Sequence, residues 1–408
     1  MKALELFSGA GGLAMGLHLA GFDSVAVIEW DKWACDTIRE NQRRAFPLVK
    51  NWPLFEMDVR DFDFSTIPED LDLVAGGPPC QPFSLGGKHR AHKDQRNMFP
   101  PMVDAIRRVR PKAFIIENVK GLTRSSFANY YTYILHQCAF PDVTRKEGET
   151  WLGHLARLER EKTSGRRTGL TYEVVTRVVN AADYGVPQRR ERVFIVGFRS
   201  DLGIQWNFPE TTHNLDALLV DQWITGTYWE RHNLKRPVMP ATLSGRVARL
   251  KKMDTPPRGH PWRTVREALA RLPDPREQAE LYRDHQFQAG ARTYPGHTGS
   301  PLDLPAKTLK AGDHGVPGGE NMMIMDNGKV RYFTVRESAR IQTFPDGYVF
   351  HGSWTEAMRQ LGNAVPLVLA RVIAASVAEQ LVMVKMARII TQKNKHASLR
   401  VIRSRGAA

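Results

Sequence analysis

An α/β fold, with a doubly wound and mostly parallel sheet joined to a second, smaller, loop-rich domain, is what the sequence predicts. Short apolar runs alternate with helix-like patterns over roughly the first 200 residues. A glycine loop directly follows the first of these runs. After about Phe208 the texture changes: Pro, Gly, His and Arg become frequent and periodicity fades.

The predicted strands are Ala3–Phe7, Ser24–Trp30, Asp72–Gly77, Ala113–Val119, Glu173–Val179 and Arg192–Phe198. Between them, Leu13, Leu17 and Ala20 share one helical face, as do Met102, Ile106 and Val109. The charged stretch 144–171 interrupts this alternation and reads as an inserted surface helix with flexible ends. Pro256-Pro257, Gly290, Pro295-Gly296 and 312–319 break the chain repeatedly in the second domain. From Ser353 the pattern is helical again, through Leu367, Val372, Ala375 and Val382. The domains expected are 1–207 plus 353–384, then 208–352, then a basic tail at 385–408.

The chain has 408 residues, 42% apolar and 25% charged, which excludes a disordered chain, a collagen and a small disulfide scaffold. No long uncharged apolar run predicts a membrane span, and the N-terminus does not read as a signal peptide. Cysteines at 35, 80 and 138 form no CxxC pair, so neither a disulfide framework nor a zinc site is expected, and a reducing cytoplasm is the natural compartment. Lys and Arg number 58 against 43 Asp and Glu, a net charge of +15 that suits a phosphate polymer as partner. Seven cations and no acid lie between Lys385 and Arg405.

Phe7, Ser8, Gly9, Gly11 and Gly12 lie between the first strand and the first helix, where glycines let a ligand approach the backbone. Glu29, ending the second strand, can accept both hydroxyls of a ribose, and Trp30 can stack on a purine. The same spacing also fits a dinucleotide fingerprint, and an NAD oxidoreductase, or a mere tight turn, stays open on this loop alone. Asp58 is a partner for an adenine amino group or an ordinary capping residue.

Gly76-Gly77-Pro78-Pro79-Cys80-Gln81-Pro82-Phe83-Ser84 fixes the backbone around one thiol at a strand's carboxyl end. Structural cysteines sit in apolar runs; Cys80 does not, which points to a nucleophile. Glu117 ends another strand at the same edge, and a carboxyl group held apolar can act as an acid. Arg190 and Arg192 alternate before an apolar strand, so both are expected to face the ligand side. His89 and His92 have poor metal spacing, and no metal is expected.

These runs resemble, in order, the motifs of the DNA cytosine-5 methyltransferases. The resemblance covers the glycine loop (motif I), Glu29-Trp30 (II), Asp58 (III), PPCQPFS (IV), Glu117-Asn118-Val119 (VI) and Gln188–Arg192 (VIII). It continues through Arg336–Gln342 (IX) and Gln360–Pro366 (X), while 208–330 matches only loosely. It implies a Rossmann-like S-adenosylmethionine-dependent methyltransferase of prokaryotic restriction–modification type, with a target recognition domain in the loosely matching region. The product would be S-adenosylhomocysteine.

Under that resemblance Cys80 adds to C6 of a flipped cytosine, Glu117 acts as the acid near N3, Arg192 faces O2 and Arg190 holds the loop or the Glu. The cofactor would rest on the glycine loop, Glu29, Trp30, Asp58, Pro78, Asn363 and Ala364, with Asn363 capping the last helix. Ser84, Lys88, Arg90 and Arg96 would meet DNA, as would Arg246, Arg292, Thr308 and Leu309. Expected partners are double-stranded DNA and, in the cell, a cognate restriction endonuclease, with the chain acting as a monomer. A tRNA cytosine methyltransferase shares the motifs; the long Arg- and Gly-rich 208–330 region favours DNA. A non-catalytic DNA-binding relative would not need the full set of catalytic residue types.

Overall fold

The computed structural model describes residues 1–79, 97–165, 169–277, 281–295, 297–311 and 321–405, with side chains to residue 391. Seven strands form the main sheet: β1 (Lys2–Leu6), β2 (Asp23–Glu29), β3 (Leu54–Glu56), β4 (Leu73–Gly76), β5 (Ala113–Val119), β6 (Tyr172–Asn180) and β7 (Glu191–Arg199). Their order is β3-β2-β1-β4-β5-β7-β6, and only β7 runs antiparallel to its neighbours. The carboxyl ends of β1 to β6 therefore share one edge with the start of β7. Val119 pairs with Arg192 there, while Ala113 pairs with Phe198 at the opposite edge.

Apolar residues alternate between the two faces, as a sheet covered on both sides requires. Leu4, Leu6, Val74 and Ile116 pack under α3 (Phe99–Val109) and α4 (Ala128–Ala139). Ala3, Leu73, Ala75 and Ile115 pack under α1 (Gly12–Leu19) and α12 (Leu367–Arg405). Gly16 lets the last two helices touch, since a Cβ there would lie 2.4 Å from Ala370 Cβ.

The expected insert is the helix α5 (Trp151–Ser164), and it is more than a surface element. Leu155 and Leu158 enter the core, and buried His154 joins Tyr133 Oη at 2.8 Å to Val143 O at 2.6 Å.

The later region is less loop-rich than its composition implied. It holds α6 (Leu215–Val220), α7 (Thr227–Arg231) and α8 (Ala241–Leu250), packed around Trp223, Tyr228 and Trp229, and α9 (Val265–Ala268), which packs with Ala306, Leu309 and Phe333. Helices of four to ten residues are too short to show a clear period in sequence. β8 (His213–Asn214) and β9 (His260–Pro261) pair in parallel, and three short strands, β10 (Ser300–Pro301), β11 (Met322–Ile324) and β12 (Val330–Tyr332), form another small sheet.

After α10 (Val335–Ile341) and α11 (Trp354–Asn363), α12 returns to the main sheet. Residues 354–391 are apolar and long enough to cross a membrane by length and composition, but Leu369, Ile373, Val377 and Leu381 are buried in the fold. The expected tail is a continuation of α12, helical to Arg405. Leu367 N donates to Gln342 O near the carboxyl edge, whereas Arg388 lies 3.9 Å from Asp201, just past the far end of β7. The 385–405 stretch thus leaves from the edge opposite the site.

Candidate active site

The loop after β1 turns sharply: Phe7, Gly9 and Gly11 have φ of 58°, 53° and 82°. Such left-handed backbone is costly for residues with a Cβ, so glycine dominates it. Space makes the same demand, because a Cβ at Gly12 would stand 2.4 Å from Val365 O. A Cβ at Gly9 would meet nothing within 4 Å, so the loop faces open space at that point.

Glu29 holds the loop in shape. Its Oε2 accepts from Gly9 N at 2.7 Å, and Oε1 accepts from Trp30 N at 2.9 Å and Asp31 N at 2.8 Å. Burial pushes its carboxyl pKa up, and these backbone donors oppose the rise. Trp30 stands 69% exposed beside it. Ser8 is buried, its N–H donating to Ile28 O at 3.3 Å.

Asp58 does cap a turn, accepting from Arg60 N at 2.9 Å, and the Arg60 guanidinium at 2.5 Å holds its carboxyl below the ordinary range. Its carboxylate is therefore engaged locally.

Glu117 and Arg192 meet across β5 and β7, with Arg192 Nε 3.0 Å from Glu117 Oε1. Both are buried. Burial raises the Glu117 pKa against the pull of Arg192 and Arg190, and burial lowers that of Arg192 against the pull of Glu117. The contact is an ion pair by distance without hydrogen-bond alignment, so Glu117 Oε1 keeps an unfilled acceptor site. Gly77 makes room for this carboxyl: a Cβ there would lie 3.3 Å from Glu117 Oε2. Beside it, Asn118 Nδ2 donates to Pro78 O at 2.9 Å, which ties β5 to the proline loop two residues before Cys80. Cys80 itself lies outside the described residues, as do Ser84, Lys88, Arg90, Arg96, His89 and His92.

Arg190 does not join Arg192 at the reacting edge. It precedes β7 and is fully buried, donating to Leu309 O at 2.9 Å, Gly362 O at 2.7 Å and Ala364 O at 3.0 Å. A guanidinium in a closed interior needs acceptors, and these carbonyls take it inward. It is a positioning residue.

Leu309, expected at DNA, is also buried, with its N–H on Gln188 Oε1 at 3.0 Å. Thr308 remains partly accessible and donates to Arg189 O at 2.7 Å. Arg246 pairs with Asp216 at 2.5 Å, and Arg292 is exposed. Asn363 does not cap α12: it is the exposed last residue of α11, Ala364 is the C-cap, and α12 starts only at Leu367. Pro366 intervenes, and its carbonyl accepts from Ala370 N at 2.9 Å.

Two supports of the glycine loop had no local signal. Tyr348, fully buried, donates from Oη to Ala10 O at 2.9 Å across 338 residues, and Trp52 packs where a Cβ on Gly11 would lie 2.8 Å away. Gln342, a member of motif IX in the sequence, joins Gln188 to the turn at 361–364.

A mostly parallel sheet thus carries a glycine loop and an acid–arginine pair at one edge, with Pro78 tied to the same strand as the acid. The sequence matches the family described as "C-5 cytosine-specific DNA methylase" over residues 1–140 and 161–379. The chain belongs to that family and is a DNA cytosine-5 methyltransferase of prokaryotic restriction–modification type.

Among its relatives, the Type II methyltransferase M.PspPI of Psychrobacter sp. is 33% identical over 384 residues, covering 93% of this chain and 79% of that protein. M.Eco47II of Escherichia coli is 32% identical over 386 residues, with the same coverage of 93% and 79%. A crystal structure of a putative DNA modification methyltransferase from an E. coli prophage shares the fold at a TM-score of 0.53 and 21% identity, covering 93% of this chain and 99% of that one. The family match skips 141–160, where α5 begins, while an NAD oxidoreductase would share the glycine loop alone.

Proposed function

We propose that this enzyme transfers a methyl group from S-adenosylmethionine to C5 of a flipped cytosine within a specific duplex sequence, through a covalent bond between Cys80 and C6. The observation that carries the reading is the buried Glu117–Arg192 pair at the sheet edge, next to the strand that anchors Pro78. The cofactor's adenosine and methionine groups fit the residues present: an open glycine loop, a ribose-competent Glu29, an exposed Trp30 and the 361–364 turn. When bound, S-adenosylmethionine supplies an electrophilic methyl group.

The chain's own residues supply the rest. A thiolate on Cys80 adds to C6 and makes C5 nucleophilic. The raised Glu117 carboxyl donates its proton at N3, and Arg192 stabilises negative charge at O2. The ring faces are hidden in stacked DNA, so the base must leave the stack. Once C5 carries the methyl group, its proton passes to water, Cys80 leaves as the thiolate and the N3 proton returns to Glu117, which restores the aromatic ring.

Base reading is assigned to 208–330 within a recognition domain at 208–352, with Thr308, Arg246 and Arg292 as contacts. In the cell the modification would protect cytoplasmic DNA from a cognate endonuclease, the enzyme acting as a monomer.

Bisulfite sequencing of a plasmid from expressing cells tests this reading directly. The expected result is one methylated sequence context; an unmodified plasmid from cells containing folded enzyme would overturn it.

A further inference from the structure

Three buried side chains outside the reacting pair join the recognition segment to the cofactor turn. Gln188 is fully buried, and its amide faces both ways: Nε2 donates to Gln342 Oε1 at 3.1 Å, while Oε1 accepts from Leu309 N at 3.0 Å. Gln342, equally buried, donates through Nε2 to Leu361 O and, at 3.3 Å, to Ala364 O. Arg190 completes the ring on Leu309 O, Gly362 O and Ala364 O. The backbones also touch: a Cβ on Gly362 would lie 2.3 Å from Ala311 N.

Both backbone groups of Leu309 and three carbonyls of the 361–364 turn thus share one buried cluster. Breaking such bonds leaves polar groups desolvated and unpaired, which is far more costly than losing them at a wet surface. A displacement of either segment therefore carries the other with it.

We infer that this cluster couples the two ligand sites: filling the cofactor turn favours the arrangement of 306–311 that engages DNA, and DNA favours the filled turn. The inference rests on the roles proposed above for those segments. Gln188 and Gln342 touch neither ligand and are positioning residues. Linkage makes the effect reciprocal, with equal factors in the two directions.

The probes are S-adenosylhomocysteine and a duplex carrying the methylated sequence found by plasmid sequencing. Anisotropy gives duplex affinity with and without saturating S-adenosylhomocysteine, and calorimetry gives S-adenosylhomocysteine affinity with and without duplex. Wild type should show equal enhancements of at least about 5-fold. In Gln342→Met and Gln188→Met the enhancement should fall towards one, while S-adenosylhomocysteine alone binds within about 2-fold of wild type, less than half of a ~5-fold coupling on the energy scale.

A purely structural role would weaken both affinities and leave the enhancement intact, which would overturn the inference. A wild-type enhancement of one, with both ligands bound, would overturn it and leave the proposed function standing. Failure of wild type to bind either ligand would bring down both.

Hydrogen exchange on wild type needs no variant. The Ala306 and Leu309 amides should gain protection when S-adenosylhomocysteine is added without DNA, and unchanged exchange there refutes the coupling.

Discussion

At the residue scale the proposed chemistry turns on Glu117 and Arg192, two groups of opposite charge whose ordinary ionisation is disturbed by burial. Desolvation favours the neutral form of Glu117, and Arg192 restrains that preference without forming an aligned hydrogen bond. A carboxyl with a raised pKa keeps its proton to higher pH, so an acid role is lost as pH rises through the raised value. Glu117→Gln should slow methyl transfer by ~10²–10⁴-fold and abolish that alkaline limb of the rate profile, while S-adenosylhomocysteine affinity stays near wild type. A variant with a wild-type pH profile would show that another group donates the proton. Cys80→Ser should abolish transfer and fail to form the covalent adduct that wild type makes with a 5-fluorocytosine duplex, because fluorine blocks the final elimination. Adduct formation by the serine variant at the wild-type rate would remove Cys80 from the mechanism.

Among elements, α1 and the loop before it show two glycine requirements of different origin. Gly16 is ordinary helix whose missing Cβ admits α12, whereas Gly9 is a left-handed turn facing open space. Gly16→Ala should cost about 1–3 kcal/mol through overpacking, read as a lowered thermal midpoint with cofactor affinity nearly unchanged. Gly9→Ala has room, but its φ of 53° strains an alanine by about 1–2 kcal/mol. Its Cβ would also project into the space offered to the ligand, so S-adenosylhomocysteine affinity should fall more than stability does. Equal losses of affinity in both variants would contradict this separation.

On the scale of the whole molecule, the basic end and the reacting edge lie on opposite sides. From Leu367 to Arg388 the helix climbs about 32 Å at 1.5 Å per residue, away from the carboxyl edge. A tail that neutralises phosphates of the duplex bound at the reacting edge does not suit that path. Deleting 392–408 should leave the methylated sequence and the salt dependence of specific binding unchanged. A slope of log affinity against log salt that flattens by ~0.9 per lost contact would show that the tail reaches the bound duplex after all. The buried attachment of Leu309 has a similar consequence: exchange of the recognition region between relatives should transfer specificity only if 306–311 still fits Gln188 and Arg190.

Much of the fold was legible because its signals are local. Apolar runs placed strands within a residue or two, as with Ala113–Val119, and glycines marked the left-handed turn after β1. Glu117 was readable as a strand-end residue, since a parallel sheet brings its carboxyl ends together whatever their spacing in the chain, and Arg192 as the start of an apolar strand; that this strand runs antiparallel, and so brings Arg192 to the same edge, only the structure shows. The short helices between 215 and 268 were not, because they span too few residues for a period to emerge.

The tertiary structure alone decided where buried polar groups go. Arg190 turned inward to the 361–364 carbonyls, Leu309 left the surface expected of it, Tyr348 reached Ala10 across 338 residues, and α12 ran away from the site towards Asp201. Secondary structure follows from the period of neighbouring side chains. The partner of a buried donor is whichever acceptor the packed chain brings within about 3 Å, and local sequence carries no record of it.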